Sequence, residues 1–301
     1  MPPNIALLIG ISLAWAAGYL FIGQARLVPP ITATAAMTII AAIVISAGVK
    51  WGLRRPLIAT LRARPLVPMA MGLSAIALPN LAVVAAEHSV PPDLAAVLGT
   101  TVPISTILLT TFVTRETPYA TMPMIGILIA LAGLVIFVSG DGVLDNTGEI
   151  SGIAIMIAGG LVFALNGIFA ARQTRDLDAS ALAAWTIIFG AASLTIAAFL
   201  VERPLAVDFW PAAIPLLAEG IIGMGLAYLG YYVLVARAGA GFASLYAFLV
   251  PLMGVGGSAL VADQPLTLYH AAGLAVVLLG LACLTRRPPA MQSTLHSVRR
   301  A

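Results

Sequence analysis

The sequence predicts an all-α integral membrane protein of ten transmembrane helices, arranged as two inverted five-helix repeats. Three observations predict it. Of 301 residues, 61% are hydrophobic and only 9% charged, where a water-soluble domain carries about 25% charged residues. Apolar runs of membrane-spanning length follow one another along the whole chain. The two halves also resemble each other in order.

The spans are predicted at 4–23, 31–49, 66–86, 93–114, 120–139, 150–171, 180–201, 211–235, 240–262 and 268–285. Each is close to the ~20 residues a helix needs to cross a ~30 Å hydrocarbon layer. In lipid every backbone group must be paired, so the runs are either helices or a closed barrel. The barrel is excluded because no ten-residue alternation of apolar and polar side chains occurs. No Lys or Arg precedes Arg26, so the first run is expected to be a permanent span and not a cleaved signal peptide.

Charge sets the orientation. With these spans, one face of the membrane receives Lys50, Arg54, Arg55, Arg62, Arg64, Arg115, Arg172, Arg175, Arg237, Arg286, Arg287, Arg299 and Arg300, and the other only Arg26 and Arg203. The positive-inside rule then places both termini in the cytoplasm, and the bacterial inner membrane is the expected location. Acidic residues gather on the outer side: Glu87, Asp93, Asp141, Asp145, Glu149, Glu202, Asp208 and Asp263. The 50–65 connection mixes Arg with Trp51, Leu53, Leu57, Ile58 and Leu61, the composition of a short interfacial helix.

The repeat is visible at three places. Leu13–Arg26 aligns with Val162–Arg175, pairing Gly18 with Gly167, Gln24 with Gln173 and Arg26 with Arg175 at an offset of 149. Val102 and Pro103 pair with Val250 and Pro251 at 148, and Gly126 and Gly133 with Gly273 and Gly280 at 147. The expected units are residues 1–140 and 150–287, followed by a disordered cytoplasmic tail at 288–301. Five spans per unit is an odd number, so the second unit enters from the opposite side. That construction is common among secondary transporters, whose substrate site lies near the midplane between repeats.

Polar and aromatic residues inside the spans are the candidates for such a site. Glu219 in the eighth span is costly in lipid and is read as a coupling carboxylate or a partner for a substrate ammonium. Trp15, Asn80, Thr100, Asn166, Tyr228, Tyr246 and Phe248 are candidate substrate contacts, with helix-to-helix bonding as the competing role of the amides. On the halves' alignment, Asn80 and Tyr228 are equivalent. Pro79, Pro103 and Pro251 are candidate gating points, because proline removes a helical hydrogen bond and permits a bend. Trp51, Trp210 and Tyr269 fit interface anchors.

Other chemistries find no support. Cys283 is the single cysteine, and His88, His270 and His296 have no helical partner, so no metal site is predicted. No cofactor motif, paired intramembrane aspartates or nucleophile elbow occurs, so no enzymatic activity is expected. The net charge of +3 follows the loop asymmetry and does not form a nucleic-acid-binding stripe.

The two five-span repeats, the Trp15-bearing first span, Pro103 and Pro251 in spans four and nine, and the glycine-rich spans five and ten together resemble the drug/metabolite transporter superfamily, in its EamA-type ten-helix form. The resemblance covers essentially the whole chain and is similar in architecture to bacterial aromatic amino-acid exporters of the YddG type. It implies an exporter of small metabolites, with aromatic or hydrophobic amino acids as the expected cargo and a monomer as the working unit. Other metabolites or drugs are the alternative within the superfamily, and a non-transporting membrane protein is the alternative outside it.

Overall fold

The computed structural model describes residues 2–25, 28–86, 89–90, 92–113, 121–139, 150–262 and 267–285. The tail at 288–301, the 140–149 junction between the halves, and the loop charges at Arg26, Glu87, Arg115 and Asp263 lie outside them.

All regular structure among the described residues is helical. In the first half α1 is Pro2–Ala25, α2 Pro30–Gly52, α3 the short Leu57–Ala63 and α4 Leu66–Ala86. Next come α5 at Pro92–Gly99, α6 at Thr101–Leu108 and α7 at Thr121–Ser139. The second half holds α8 at Ile150–Gln173, α9 at Ala179–Val201, α10 at Trp210–Ala243, α11 at Tyr246–Ala262 and α12 at Leu268–Thr285. Five of these, α2, α4, α8, α9 and α10, are long and apolar enough to cross a membrane. Their outward faces carry Ile43, Leu200 and Ile214 at 66%, 73% and 77% exposure, surface that water would not tolerate but lipid would.

Local chemistry explains the helix ends. Pro30 opens α2, where a missing N–H costs nothing. Asp178 caps α9 by accepting from Ser180 N and Ala181 N at 3.1 and 2.9 Å. Gly239, at φ 81°, interrupts α10 and turns the chain toward α11.

Proline's effect differs between the halves. The expected fourth span arrives as two helices, α5 and α6, broken at Thr100 ahead of Pro103, which has no N–H for the Gly99 carbonyl. Its expected counterpart, Pro251, sits inside the unbroken α11. The two prolines are therefore not matched bends.

The backbone repeats where the sequence does. Arg54 and Arg203, 149 residues apart, both end a helix with a left-handed φ, 53° and 50°. The π turns Gly72–Ala77 in α4 and Ile222–Ala227 in α10 start 150 residues apart. In that register Leu78, and not Asn80, is the counterpart of Tyr228. The packing pairs also interchange. α1 lies on α11 as α8 lies on α6, α1 on α10 as α8 on α4, and α2 on α10 as α9 on α4. α2 on α9 and α7 on α12 map onto themselves, whereas α8 on α10 has no comparable counterpart between α1 and α4.

Glycine makes the α7–α12 contact possible. A Cβ at Gly133 would stand 2.5 Å from Val277 N, one at Gly273 2.5 Å from Phe137 Cα, and one at Gly280 2.5 Å from Ala130 N. The two backbones touch.

Candidate functional site

The π turn in α10 redirects the side chains that follow it, and this brings an aromatic cluster together. Tyr228, Tyr231 and Tyr232 emerge beside Trp15 of α1, Phe163 of α8 and Tyr246 of α11. Trp15 lies 4.2 Å from Tyr246, 5.4 Å from Tyr228 edge-on, and 5.9 Å from Tyr231, measured between ring centroids. Phe163 closes the group at 5.3 Å from Tyr231 and 6.1 Å from Tyr246. Apart from the closer, tilted Trp15–Tyr246 pair, these separations fall in the range aromatic rings prefer. Gly167 leaves room for the Tyr231 hydroxyl, which a Cβ there would meet at 2.7 Å.

Above this cluster lies a cavity of about 300 Å³. Trp15, Phe163, Tyr228 and Tyr246 supply its aromatic wall, and Pro79, Asn80, Glu219 and Pro251 also line it. Its lining also includes Ala82 and Val83 late in α4, Ala95 and Leu98 on α5, and Met156 early in α8. The cavity therefore extends toward the end of the bundle where α4 finishes and α5 and α8 begin.

Three polar groups in the wall have defined positions. Tyr228 donates its hydroxyl to the Ala75 carbonyl at 3.1 Å. That carbonyl is the one left without a helical donor by Pro79, four residues on. Asn80 donates its amide to Ile76 O at 2.8 Å. Glu219 is 8% exposed, and its Oε2 is buried with no hydrogen-bond partner among the described residues. Its carboxylate folds over Gly223, into the place a Cβ at that position would occupy. An unpaired buried carboxylate oxygen is expensive, which is the usual mark of a site with another role.

The cavity thus gathers Trp15, Asn80, Tyr228, Tyr246, Glu219, Pro79 and Pro251 from the sequence candidates. Four others sit outside this lining. Asn166 donates to the Tyr232 hydroxyl at 3.1 Å and accepts from Ser74 Oγ at 3.3 Å, so it ties α8 to α10 and α4. Thr100 turns its hydroxyl to Val97 O at 2.6 Å across the α5–α6 break. Phe248 is fully buried in the core, and Pro103 is buried beside the break. Phe163 and Met156 were absent from the sequence candidates. Phe163 stands next to Ala164, the repeat counterpart of Trp15, and that adjacency was the available signal.

Charged contacts at the bundle ends hold helices of the two halves together. Glu202, at the end of α9, accepts from Ile31 N at 2.8 Å, Thr32 N at 2.7 Å and Thr32 Oγ1 at 2.6 Å, capping α2 from the other half. At the opposite end Arg64 donates to Gln173 Oε1 and Asp176 Oδ2, both at 2.8 Å, and Arg55 lies 3.6 Å from Asp178.

Comparison with known proteins agrees with this architecture. The chain is similar to an uncharacterized transporter, YvbV, of Bacillus subtilis (strain 168), with 27% identity over 176 residues, 57% of this chain and 56% of that protein. The match thus spans little more than half of that relative's length. A crystal structure superposes with a TM-score of 0.75 at 19% identity, covering 95% of this chain and 97% of the other, a likeness of fold. The profile of the EamA-like transporter family matches twice, over residues 3–139 and again over 150–286. On that double match the chain is a multi-pass membrane protein and belongs to the EamA-like transporter family.

Proposed function

We propose that the protein is a secondary transporter that exports a small metabolite by alternating access. The observation that carries this reading is the cavity itself. It lies between the halves, takes its wall from both, and joins an aromatic surface to one buried carboxylate. The ten expected segments cross the membrane, and each odd set of five inverts the next, so the two halves are antiparallel copies. The interchangeable packing pairs support that relation, because exchanging the halves' conformations then exchanges which side is open.

Both termini face the cytoplasm of a bacterial inner membrane in this reading. The cavity then reaches toward the outer side, and the Trp15–Phe163–Tyr231–Tyr246 cluster closes the inner side. Return to the inward state moves α4, α5, α6, α10 and α11, with Pro79, Pro103 and Pro251 as points of bending. Glu219 is the coupling carboxylate, and the cargo is small and has an apolar or aromatic body, amino acids of that kind being the sequence expectation.

Purified protein reconstituted in liposomes tests the reading. Saturable flux down a substrate gradient, lost in Trp15→Ala with the folded yield unchanged, supports it. A folded protein that moves no member of a broad metabolite panel refutes it. Glu219→Gln is expected to remove the pH dependence of flux, and unaltered pH dependence would take coupling away from this residue.

A further inference from the structure

Three hydrogen-bond acceptors distinguish the cavity's lining, which also holds the Trp15 indole N–H and the Tyr246 hydroxyl. Pro103 and Pro251 each deprive the carbonyl four residues earlier of its helical donor. Those carbonyls belong to Gly99 and Ala247, and both residues line the cavity. Glu219 adds its unpartnered carboxylate oxygen to the same lining. All three groups accept hydrogen bonds. Two nearby donors are already committed to main-chain carbonyls, Tyr228 to Ala75 O and Asn80 to Ile76 O.

No opposite charge balances them. The described lining contains no Lys, Arg or His. The ten expected spans contain no Lys or Arg at all, and Glu219 is their only carboxylate away from a span end. A carboxylate on the ligand would approach Glu219 with like charge and no cationic partner, in surroundings where charge is weakly screened. An ammonium would meet the carboxylate and the two carbonyls, and its charge also suits the faces of Trp15 and the tyrosines.

We infer that the cavity binds its ligand as an ammonium cation carrying an apolar or aromatic body, and discriminates against the corresponding zwitterionic amino acid. This rests on the transport reading only in taking the cavity as the substrate site. It departs from the amino-acid cargo expected from the sequence. The division of labour is simple: Gly99 O, Ala247 O and Glu219 take the N–H donors, and the aromatic wall takes the rest.

Titration calorimetry on the purified full-length protein in mild detergent tests it with three probes sharing one ring: phenethylammonium, phenylalanine and N,N,N-trimethylphenethylammonium. Phenethylammonium is expected to bind at least tenfold more tightly than phenylalanine. Trimethylation keeps the charge but removes every N–H donor, and is expected to weaken binding several-fold. Glu219→Gln is expected to weaken amine binding at least tenfold. Phenylalanine binding as tightly as the amine overturns the inference, as does a folded native protein without saturable amine binding. These comparisons on native protein decide the matter even if Glu219→Gln does not fold, and full amine affinity in a folded Glu219→Gln protein also overturns it. Amine binding without flux in liposomes would instead defeat the transport reading and leave the recognition standing.

Discussion

Replacing Glu202 by Ala removes the cap of a helix in the other half of the molecule. α2 begins Pro29–Pro30, and Pro29 offers no side-chain cap of its own. The first N–H groups of a helix have no internal partner, so those of Ile31 and Thr32 depend on Glu202 at 2.8 and 2.7 Å. The Thr32 hydroxyl is bound at 2.6 Å, and Thr32 is only 4% exposed. Loss of a helix cap costs about 1 kcal/mol, and loss of a negative charge at a helix N-terminus about 0.3–1 kcal/mol. Leaving a buried donor unpaired adds about 1 kcal/mol, reduced where water can enter beside the half-buried Glu202. Glu202→Ala should therefore lower stability by about 2–3 kcal/mol. Glu202→Gln keeps one acceptor oxygen and should lose about 1 kcal/mol. Equilibrium unfolding in mixed detergent micelles measures both, and a cycle with Thr32→Val should return a coupling of about 1 kcal/mol. The reasoning fails if Glu202→Ala stays within about 0.5 kcal/mol of the native protein, or if Gln is as harmful as Ala.

Three further outcomes follow from particular contacts. Gly239→Ala meets open space but a φ of 81°, so it should cost about 1–2 kcal/mol in unfolding experiments while ligand affinity stays unchanged. Gly273→Leu must force α12 away from the α7 backbone at Phe137; size-exclusion profiles of the expressed protein should show the folded fraction falling severalfold, whereas Gly10→Ala, with nothing nearby, should leave it intact. Asn166→Leu breaks bonds to Tyr232 and Ser74, and should cost about 0.6–1.7 kcal/mol of stability with no change in the Kd of a cavity ligand; a lost Kd at full stability would return Asn166 to the site.

Much of this fold was legible because lipid imposes one rule on every residue: apolar outward, backbone paired inward. The segments predicted at 31–49, 66–86, 150–171 and 180–201 lie within α2, α4, α8 and α9 for that reason. The break in the fourth segment was not legible, since Pro103 and Pro251 read alike in sequence yet only the first stands beside a helix end. The π turns were hidden too. They change which face Tyr228 occupies without changing any apolar pattern, and their 150-residue spacing, against the 148 of the Pro103–Pro251 match, moves the expected Asn80–Tyr228 pairing by two residues. Within the candidate site, the burial cost that singled out Glu219 and Trp15 in the sequence picks residues that line the cavity. The same criterion also picks Asn166 and Thr100, which lie outside this lining, because a buried polar side chain can be satisfied by a nearby helix or turn and sequence does not say which partner is in reach.

The frame is symmetric and the cavity is not, and the difference bears on function. Backbone features recur at offsets of 149 and 150, from Arg54 and Arg203 to the two π turns. Under the alternating-access proposal, two-fold interchange of packing pairs would keep the energies of two opposite tilts close, which a carrier needs if neither state is to trap it. A lining that obeyed the same symmetry would offer two identical half-sites to a ligand that has no symmetry of its own. Here the second half contributes Glu219, Tyr228 and Tyr246, and the first answers with Trp15, Pro79 and Asn80. Under the alternating-access proposal the repeat supplies the motion, and its divergence at these few positions supplies the selectivity. Substitutions that make the halves more alike at Glu219 or Trp15 should accordingly erase recognition sooner than they disturb the fold.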